Sequence, residues 1–364
     1  MEHFFELLRY SLGITDSFEA KLSPEEWKKI FESAHQQSIV GVMFCGVSKL
    51  KGEFAPPLNI AMQWTAEAEK IIGMNKAFNL RAKELTEFFA QQGHNTAILK
   101  GQANARLYPN PLSRQPGDID IYVDGGKEKV LQMLYDLNLI KKGSYVAYHH
   151  VELIPQNDGI TVEVHFRPSS GIHNIFGNKQ IQKFLNNDIK NVELTSQGFN
   201  VPSLKFALVM QMAHILRHLL GAGVGLRQIT DYYYLLTHTS TEDREYVSSL
   251  LQKFKLKTFA AALMWVLQHV FLMDNNLMLC PPNQQSGQMI LEEISRNGNF
   301  GWYSEYYHDS FVKRQIKHRK RMFKLFKLFP KDIFWARFEN YIFFFKTIPL
   351  RIRHRSLSLK DVDL

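Results

Sequence analysis

Cysteine is almost missing from this chain. Its 364 residues hold only Cys45 and Cys280, far apart and in no CxxC pattern, which excludes a zinc ribbon and gives no support to a disulfide framework. Both are expected to behave as buried apolar residues. Equally absent is an uninterrupted apolar run of about 18 residues, so no transmembrane helix is expected. The opening stretch MEHFFELLRYSLG carries Glu2 and Glu6 and no basic segment, which argues against a signal peptide and for a cytoplasmic location. No internal repeat of fixed period occurs, and only the last residues, SLSLKDVDL, read as disordered.

Acidic residues are scarce at one end. The net charge is +9, yet residues 310–364 hold 15 Lys and Arg against 4 Asp and Glu, leaving 29 against 31 in residues 1–309. Any polyanionic partner therefore belongs to the tail. There, basic residues interleave with aromatic and aliphatic ones in VKRQIKHRKRMFKLFKLF and FWARFENYIFFFKTIPLRIRHR. Helices of this composition suit nucleic-acid phosphates, an anionic membrane surface or a neighbouring acidic lobe. An ordinary solvated face is the plainer alternative.

With 45% hydrophobic residues, the chain can bury a sizeable core, divided among two or three lobes. Residues 1–92 read as helical. Ser23, Pro24 and Glu26 supply a hydroxyl cap, a proline at the first helical position and a carboxylate three residues after the cap. Trp27, Ile30, Phe31 and Ala34 follow at helical spacing, with Gly41, Gly46 and residues 51–57 as breaks. Residues 58–92, free of proline and rich in Ala, Glu, Lys and Met, predict one long helix packed through Trp64 and Met74.

From Thr96 the period changes. Strands are expected over 96–99, 118–123, 145–154 and 160–166, and helices over 102–107 and 127–137. The turn Pro155-Gln156-Asn157-Asp158-Gly159 should join the last two strands into a hairpin. From Ser203 the pattern is helical again, with a stripe of Leu204, Ala207, Leu208, Gln211, Ile215 and Leu219, and with His214, Arg217 and His218 on another side. Gly221, Gly223 and Gly225 end that helix. Arg227 and Asp231 then stand at the i,i+4 spacing that suits an ion pair, and further helices are expected over 243–273 and 287–296. The fold class that follows is α+β, a small mixed sheet with helices on one side and helical regions before and after it.

Chemistry concentrates in residues 98–123, ILKGQANARLYPNPLSRQPGDIDIYV. Side chains alternate along a strand, so Asp118, Asp120 and Tyr122 share one face and Ile119, Ile121 and Val123 the other. Two adjacent buried carboxylates are unfavourable unless cations neutralise them or one is protonated. In the strand over 160–166, Glu163 and His165 alternate with Val162, Val164 and Phe166, so a third carboxylate can converge on the same place. Asp118, Asp120 and Glu163 match the demand of two-metal catalysis, in which one divalent ion activates an attacking hydroxyl and another holds the leaving phosphate. The competing view is a pair of solvent-facing edge aspartates with an unrelated glutamate.

Four separated motifs stand in a fixed order: Leu99-Lys100-Gly101; Arg114 with Gly117-Asp118-Ile119-Asp120; Val162-Glu163-Val164-His165; and His214 to His218 with Gly225-Leu226-Arg227-Gln228-Ile229-Thr230-Asp231. Over residues 90–240 this order resembles the uncharacterised bacterial nucleotidyltransferase family of the DNA polymerase beta superfamily. The resemblance implies a nucleotidyltransferase core at 93–202 between an N-terminal helical region, 1–92, a helical domain, 203–309, and the basic tail, 310–364. It also implies magnesium- or manganese-dependent transfer of a nucleoside monophosphate from a nucleoside triphosphate to a hydroxyl on a tRNA, a small molecule or a protein. Asp118 and Asp120 would bind both metals and Glu163 would be the third carboxylate, assisting the acceptor hydroxyl.

Lys100, Gly101 and Gln102 would meet the triphosphate through charge and backbone donors, although Gln102 stands where the superfamily commonly has a serine or a second glycine. Arg114 could reach a phosphate with its planar fork. His214 and His218, with no third ligand for a zinc site, are expected to face the cleft or to form an interhelical hydrogen-bond cluster; His149, His150 and His165 are candidates for the acceptor side, with orientation of Glu163 the other role open to His165. The alternative to an enzyme is a catalytically weak or inactive module of this fold that holds nucleic acid or a membrane through the tail.

Overall fold

The computed structural model describes residues 2–141, 143–221, 223–299 and 311–353. Its centre is a four-stranded mixed sheet built from β1 (Thr96–Ile98), β2 (Ile119–Val123), β3 (His150–Glu152) and β4 (Val162–His165), in the order β1-β2-β4-β3. β1 and β3 run antiparallel to their neighbours, while β2 and β4 are parallel. A parallel pair needs a crossover, and the helix Lys127–Asp136 lies in that connection. A small hairpin of β5 (Val192–Leu194) and β6 (Asn200–Pro202) forms a second sheet.

One sheet face is apolar and covered. Ile98, Ile119, Ile121, Val123, Val162 and Val164 pack with Val130 and Leu134 of the crossover helix and with Phe78, Ala82, Leu85 and Phe89 of the helix Leu58–Gln91. Each large side chain buried there contributes roughly 1.5–3 kcal/mol. At 34 residues the long helix extends about 50 Å, enough to serve two cores. Its first half, with Ile60, Trp64 and Ile71, joins a helical core. That core also takes in Glu2–Ser11, Pro24–Gln36 and Val40–Val47 near the start of the chain, and Leu204–Leu220, Leu226–His238 and Lys257–Phe271 far along it. The N-terminal helices thus share their interior with the helices that follow the sheet.

Several local expectations hold and others need correction. The helix at Pro24 has its capping box, the Glu26 backbone donating to Ser23 Oγ at 3.3 Å and the Ser23 backbone to Glu26 Oε2 at 2.8 Å. Trp64 is fully buried, but Met74 is exposed. Gly41 and Gly46 break nothing: both lie inside Val40–Val47, where a Cβ on Gly41 would come 2.4 Å from the Ser113 carbonyl oxygen. They are there for close approach, and the break falls earlier, at Ser38 with φ +55°. The hairpin strands are shorter than their patterns, because the residues before His150 carry turn and bend geometry with one isolated bridge, Val146 to Val151. Cys45 and Cys280 are free and only half-buried.

The basic tail forms two helices, Phe311–Phe326 and Pro330–Arg353. Met322, Leu325, Phe329 and Ile333 are buried in the helical core. Arg321 donates to Glu293 at 2.8 Å and to the Gly221 carbonyl at 2.7 Å, and Lys324 meets Glu292 at 2.7 Å. An acidic neighbour inside the chain therefore takes part of the tail's charge. Phe323, Phe334, Phe338 and Phe345 stay exposed. The stretch SLSLKDVDL lies outside the described residues, and among those described no helix is long and apolar enough to cross a membrane.

Gly41→Ala should gain about 1 kcal/mol of helix propensity yet lose more, since a backbone oxygen cannot rotate away. A net destabilisation of about 1–3 kcal/mol is expected for such overpacking. Urea denaturation of the variant checks this, and an unchanged midpoint would refute the close approach.

Candidate active site

The parallel register of β2 and β4 sets Asp120 opposite Glu163 and Tyr122 opposite His165. Asp118 stands one residue before β2. Because Ile119, Ile121, Val162 and Val164 occupy the covered face, the carboxylates are left on the other. His165 ties them together, its Nε2 lying 3.0 Å from Asp120 Oδ1 and 3.3 Å from Glu163 Oε2. Lys100 Nζ, just past β1, reaches the same Asp120 oxygen at 2.8 Å. Asp120, Glu163 and His165 each present a ligand atom within 4.8 Å of the others.

The neighbouring charges separate the two aspartates. Burial by itself would raise the Asp120 carboxyl, but Lys100 and His165 outweigh it and hold it well below the usual range. Asp118 is raised, first by the negative charge of Asp120 and then by burial. Burial works against the charge on Lys100, and Asp120, Asp118 and Glu163 more than restore it. His165 is likewise raised, its hydrogen bonds to Asp120 and Glu163 overcoming burial. The unfavourable carboxylate pair is thus met by cations, Lys100 and His165, with the Asp118 carboxyl raised beside it.

Lys100, Asp118, Asp120 and Glu163 line a cavity of about 1010 Å³. Gly101, also on its wall, has φ +54°, a left-handed conformation that glycine adopts without strain. His149 and His150 face in from the side of β3, and His214 and His218 from Leu204–Leu220, their rings 4.2 Å apart. Burial pushes His214 well below its ordinary value and His218 down to about 4, with Lys100 adding to both shifts. Near neutral pH the two rings are uncharged, so they suit hydrogen bonding better than charge neutralisation.

Three expected roles are changed. Arg114 lines the cavity, but its fork is taken: Nε and Nη2 donate to Asp231 Oδ1 and Oδ2 at 2.7 and 2.8 Å, and Tyr108 donates to the same carboxylate at 2.7 Å. It ties the loop before β2 to the helix Leu226–His238 and has no fork to offer a phosphate. Asp231 is therefore not paired with Arg227. Instead Arg227 donates to the carbonyls of Gln115 and Pro116 at 3.1 and 3.3 Å, beside Gly117, and burial lowers its guanidinium to about 10. Gln102 is buried away from the cavity, donating to Asn75 and Asn79 of the long helix. Its helix, Gln102–Ala105, is a single turn.

Other contributors carried no signal in the sequence. Glu339 of the tail helix reaches the rim, where it accepts from Arg217 Nη2 at 2.9 Å and His173 Nδ1 at 2.5 Å. Burial opposes its ionisation, but the bond from His173 and the charge of Arg217 bring it down to about 2. No local spacing relates residues 122 positions apart. Tyr108 was equally hidden, since nothing local links it to Asp231, 123 residues away.

A family model described as an uncharacterised nucleotidyltransferase matches residues 23–272. A solved structure of an antigenic nucleotidyltransferase-like protein from Paracoccidioides brasiliensis is similar over 51% of this chain and 91% of that chain, at 15% identity and a TM-score of 0.29. No curated protein matches.

Asp231→Ala would strand the buried Arg114 guanidinium. A loss of about 3–5 kcal/mol in unfolding free energy is expected, and a loss below about 1 kcal/mol would show that the pair is not desolvated. The Glu339 carboxyl is lowered from 4.5 to about 2 on docking, so its contribution is present above about pH 4.5 and lost as pH falls toward 2. Glu339→Gln should mimic that loss at neutral pH as faster amide exchange across 330–353, whereas unchanged exchange would refute the docking role.

Proposed function

The chain belongs to the uncharacterised nucleotidyltransferase family, and on that premise we propose that it moves a nucleoside monophosphate from a nucleoside triphosphate to a hydroxyl acceptor in a metal-dependent reaction. The observation that carries this reading is the β2–β4 register, which brings Asp120 and Glu163 side by side next to Asp118 on the wall of a cavity large enough for a nucleotide. The fit to divalent cations has support of its own. Asp120 Oδ2 is buried without a hydrogen-bond partner, a costly state for a carboxylate oxygen that a cation relieves. Asp118, Asp120 and Glu163 would hold magnesium or manganese, which supplies charge neutralisation at the phosphates and a lowered pKa for the attacking hydroxyl.

The residues of the chain then divide the work. Lys100, already at the carboxylates, is placed to take a phosphate oxygen, and Arg227, beside Gly117, is a second buried cation facing the cavity. In the proposed reaction the acceptor oxygen bonds to the α-phosphorus, the bond from that phosphorus to the α–β bridging oxygen breaks, and pyrophosphate departs with the bonding pair. Glu163 takes the acceptor proton on its carboxylate, oriented by His165 and by His150, whose Nδ1 is 3.3 Å away. Positioning and electrostatic stabilisation carry such phosphoryl chemistry.

A second reading rests on the tail. Exposed Phe334, Phe338 and Phe345 stand on the same helix as exposed Lys331 and Arg337, a surface suited to holding a polyanion whether or not the cavity turns over. Nucleic acid and an anionic membrane are its two candidate partners. Steep salt dependence of binding, lost in a Phe334→Ser/Phe338→Ser variant, is expected of this reading; salt-independent binding would refute it.

Incubation with α-labelled nucleoside triphosphates, magnesium or manganese, and a panel of tRNA, small-molecule and protein acceptors tests the first reading. Transfer of label with release of pyrophosphate is expected, falling by roughly 10²-fold or more in Glu163→Gln and Asp120→Asn variants. A folded parent that transfers nothing, or variants as active as the parent, would overturn it.

A further inference from the structure

Three imidazoles meet beside the carboxylates. The antiparallel register of β3 and β4 sets His150 opposite His165, and His149 immediately precedes β3. Ring centroids are 4.4 Å apart for His149 and His150, 5.0 Å for His149 and His165, and 5.2 Å for His150 and His165. Each ring offers one nitrogen within 4.8 Å of the other two. Nitrogens bound to one tetrahedral zinc at about 2.0–2.1 Å lie roughly 3.3 Å apart. The pair His149 Nε2 and His150 Nδ1, at 3.0 Å, is already that close.

His165 shows the arrangement most clearly. Its Nε2 is held by Asp120 and Glu163, while its Nδ1 is buried with no hydrogen-bond partner, in a side chain only 3% exposed. A carboxylate fixing one ring nitrogen so that the other presents its lone pair is how metal-bound histidines are commonly oriented. A ring nitrogen orphaned in such a cluster is hard to reconcile with a closed hydrogen-bond network, in which buried polar atoms are satisfied.

We propose that His149, His150 and His165 form a site for a borderline divalent cation such as Zn²⁺ or Co²⁺, separate in its ligands from Asp118, Asp120 and Glu163. Imidazole suits zinc, cobalt, nickel and copper, whereas magnesium takes oxygen ligands. The two sets therefore select different ions across a few ångströms. Because His149 and His150 line the cavity, a fourth coordination position opens into it, the pattern of a metal that exchanges a water or hydroxyl ligand. This inference does not rest on the transferase reading.

The full chain, stripped with a chelator and then held in excess Mg²⁺, is titrated with Co²⁺ and followed by visible absorption and calorimetry. One equivalent should bind with the ligand-field spectrum of nitrogen coordination, and His149→Ala/His150→Ala should weaken it by about tenfold or more at an unchanged metal-free melting temperature. Asp118→Asn leaves the three imidazoles in place and should keep the cobalt spectrum while losing nucleotidyl transfer, so the two readings fail separately. Should the double variant lose its fold, His149→Gln alone is read in the same way. No spectral change with Co²⁺, or equal affinity in parent and histidine variants, would overturn the proposal.

Discussion

A buried carboxylate opposite a second one, on adjacent parallel strands, is the constraint around which the rest of the protein is arranged. Asp120 is 1% exposed and Glu163 is its cross-strand partner. In a low-dielectric interior two such groups repel strongly. The surrounding sequence answers with an ammonium from the end of β1 and an imidazole from the end of β4, and the carboxyl of Asp118 beside them is raised. Such a concentration of compensating groups is costly to assemble and suits a functional site better than a structural one.

The two cores divide the labour of holding it. The sheet core fixes the register that places Asp120 and Glu163, while the helical core supplies the opposite wall with His214, His218 and Arg227. Arg114 and Asp231 join the two across 117 residues. Through them the loop that delivers Gly117 and Asp118 is anchored to a helix rather than left to its own conformation. The tail completes the rim through Glu339, so parts of the chain that are remote in sequence surround one cavity.

Much of this was legible in the sequence, because alternation and capping are local. Val162, Val164 and Phe166 alternating with Glu163 and His165 announced which face each residue takes, and the α+β class with a small mixed sheet followed from the change of period at Thr96. What stayed hidden depends on tertiary partners. Arg227 and Asp231 have ideal helical spacing, yet Arg114 makes the better bidentate partner from another element, and spacing cannot reveal a competitor that distant. Gly41 and Gly46 read as helix breakers because the tight backbone packing that requires them is invisible in one dimension. The same holds for Gln102, whose turn towards Asn75 and Asn79 depends on where the long helix lies.

The contact of Lys100 with Asp120 has one further consequence. The ammonium is an internal counterion on Asp120 Oδ1, so a divalent ion taking the free Oδ2 in the proposed reaction would share the carboxylate with it and feel its repulsion. A triphosphate that drew Lys100 to itself would lift that repulsion. By linkage each guest would then raise the affinity for the other by the same factor, and a resting molecule without nucleotide would hold its metal only loosely.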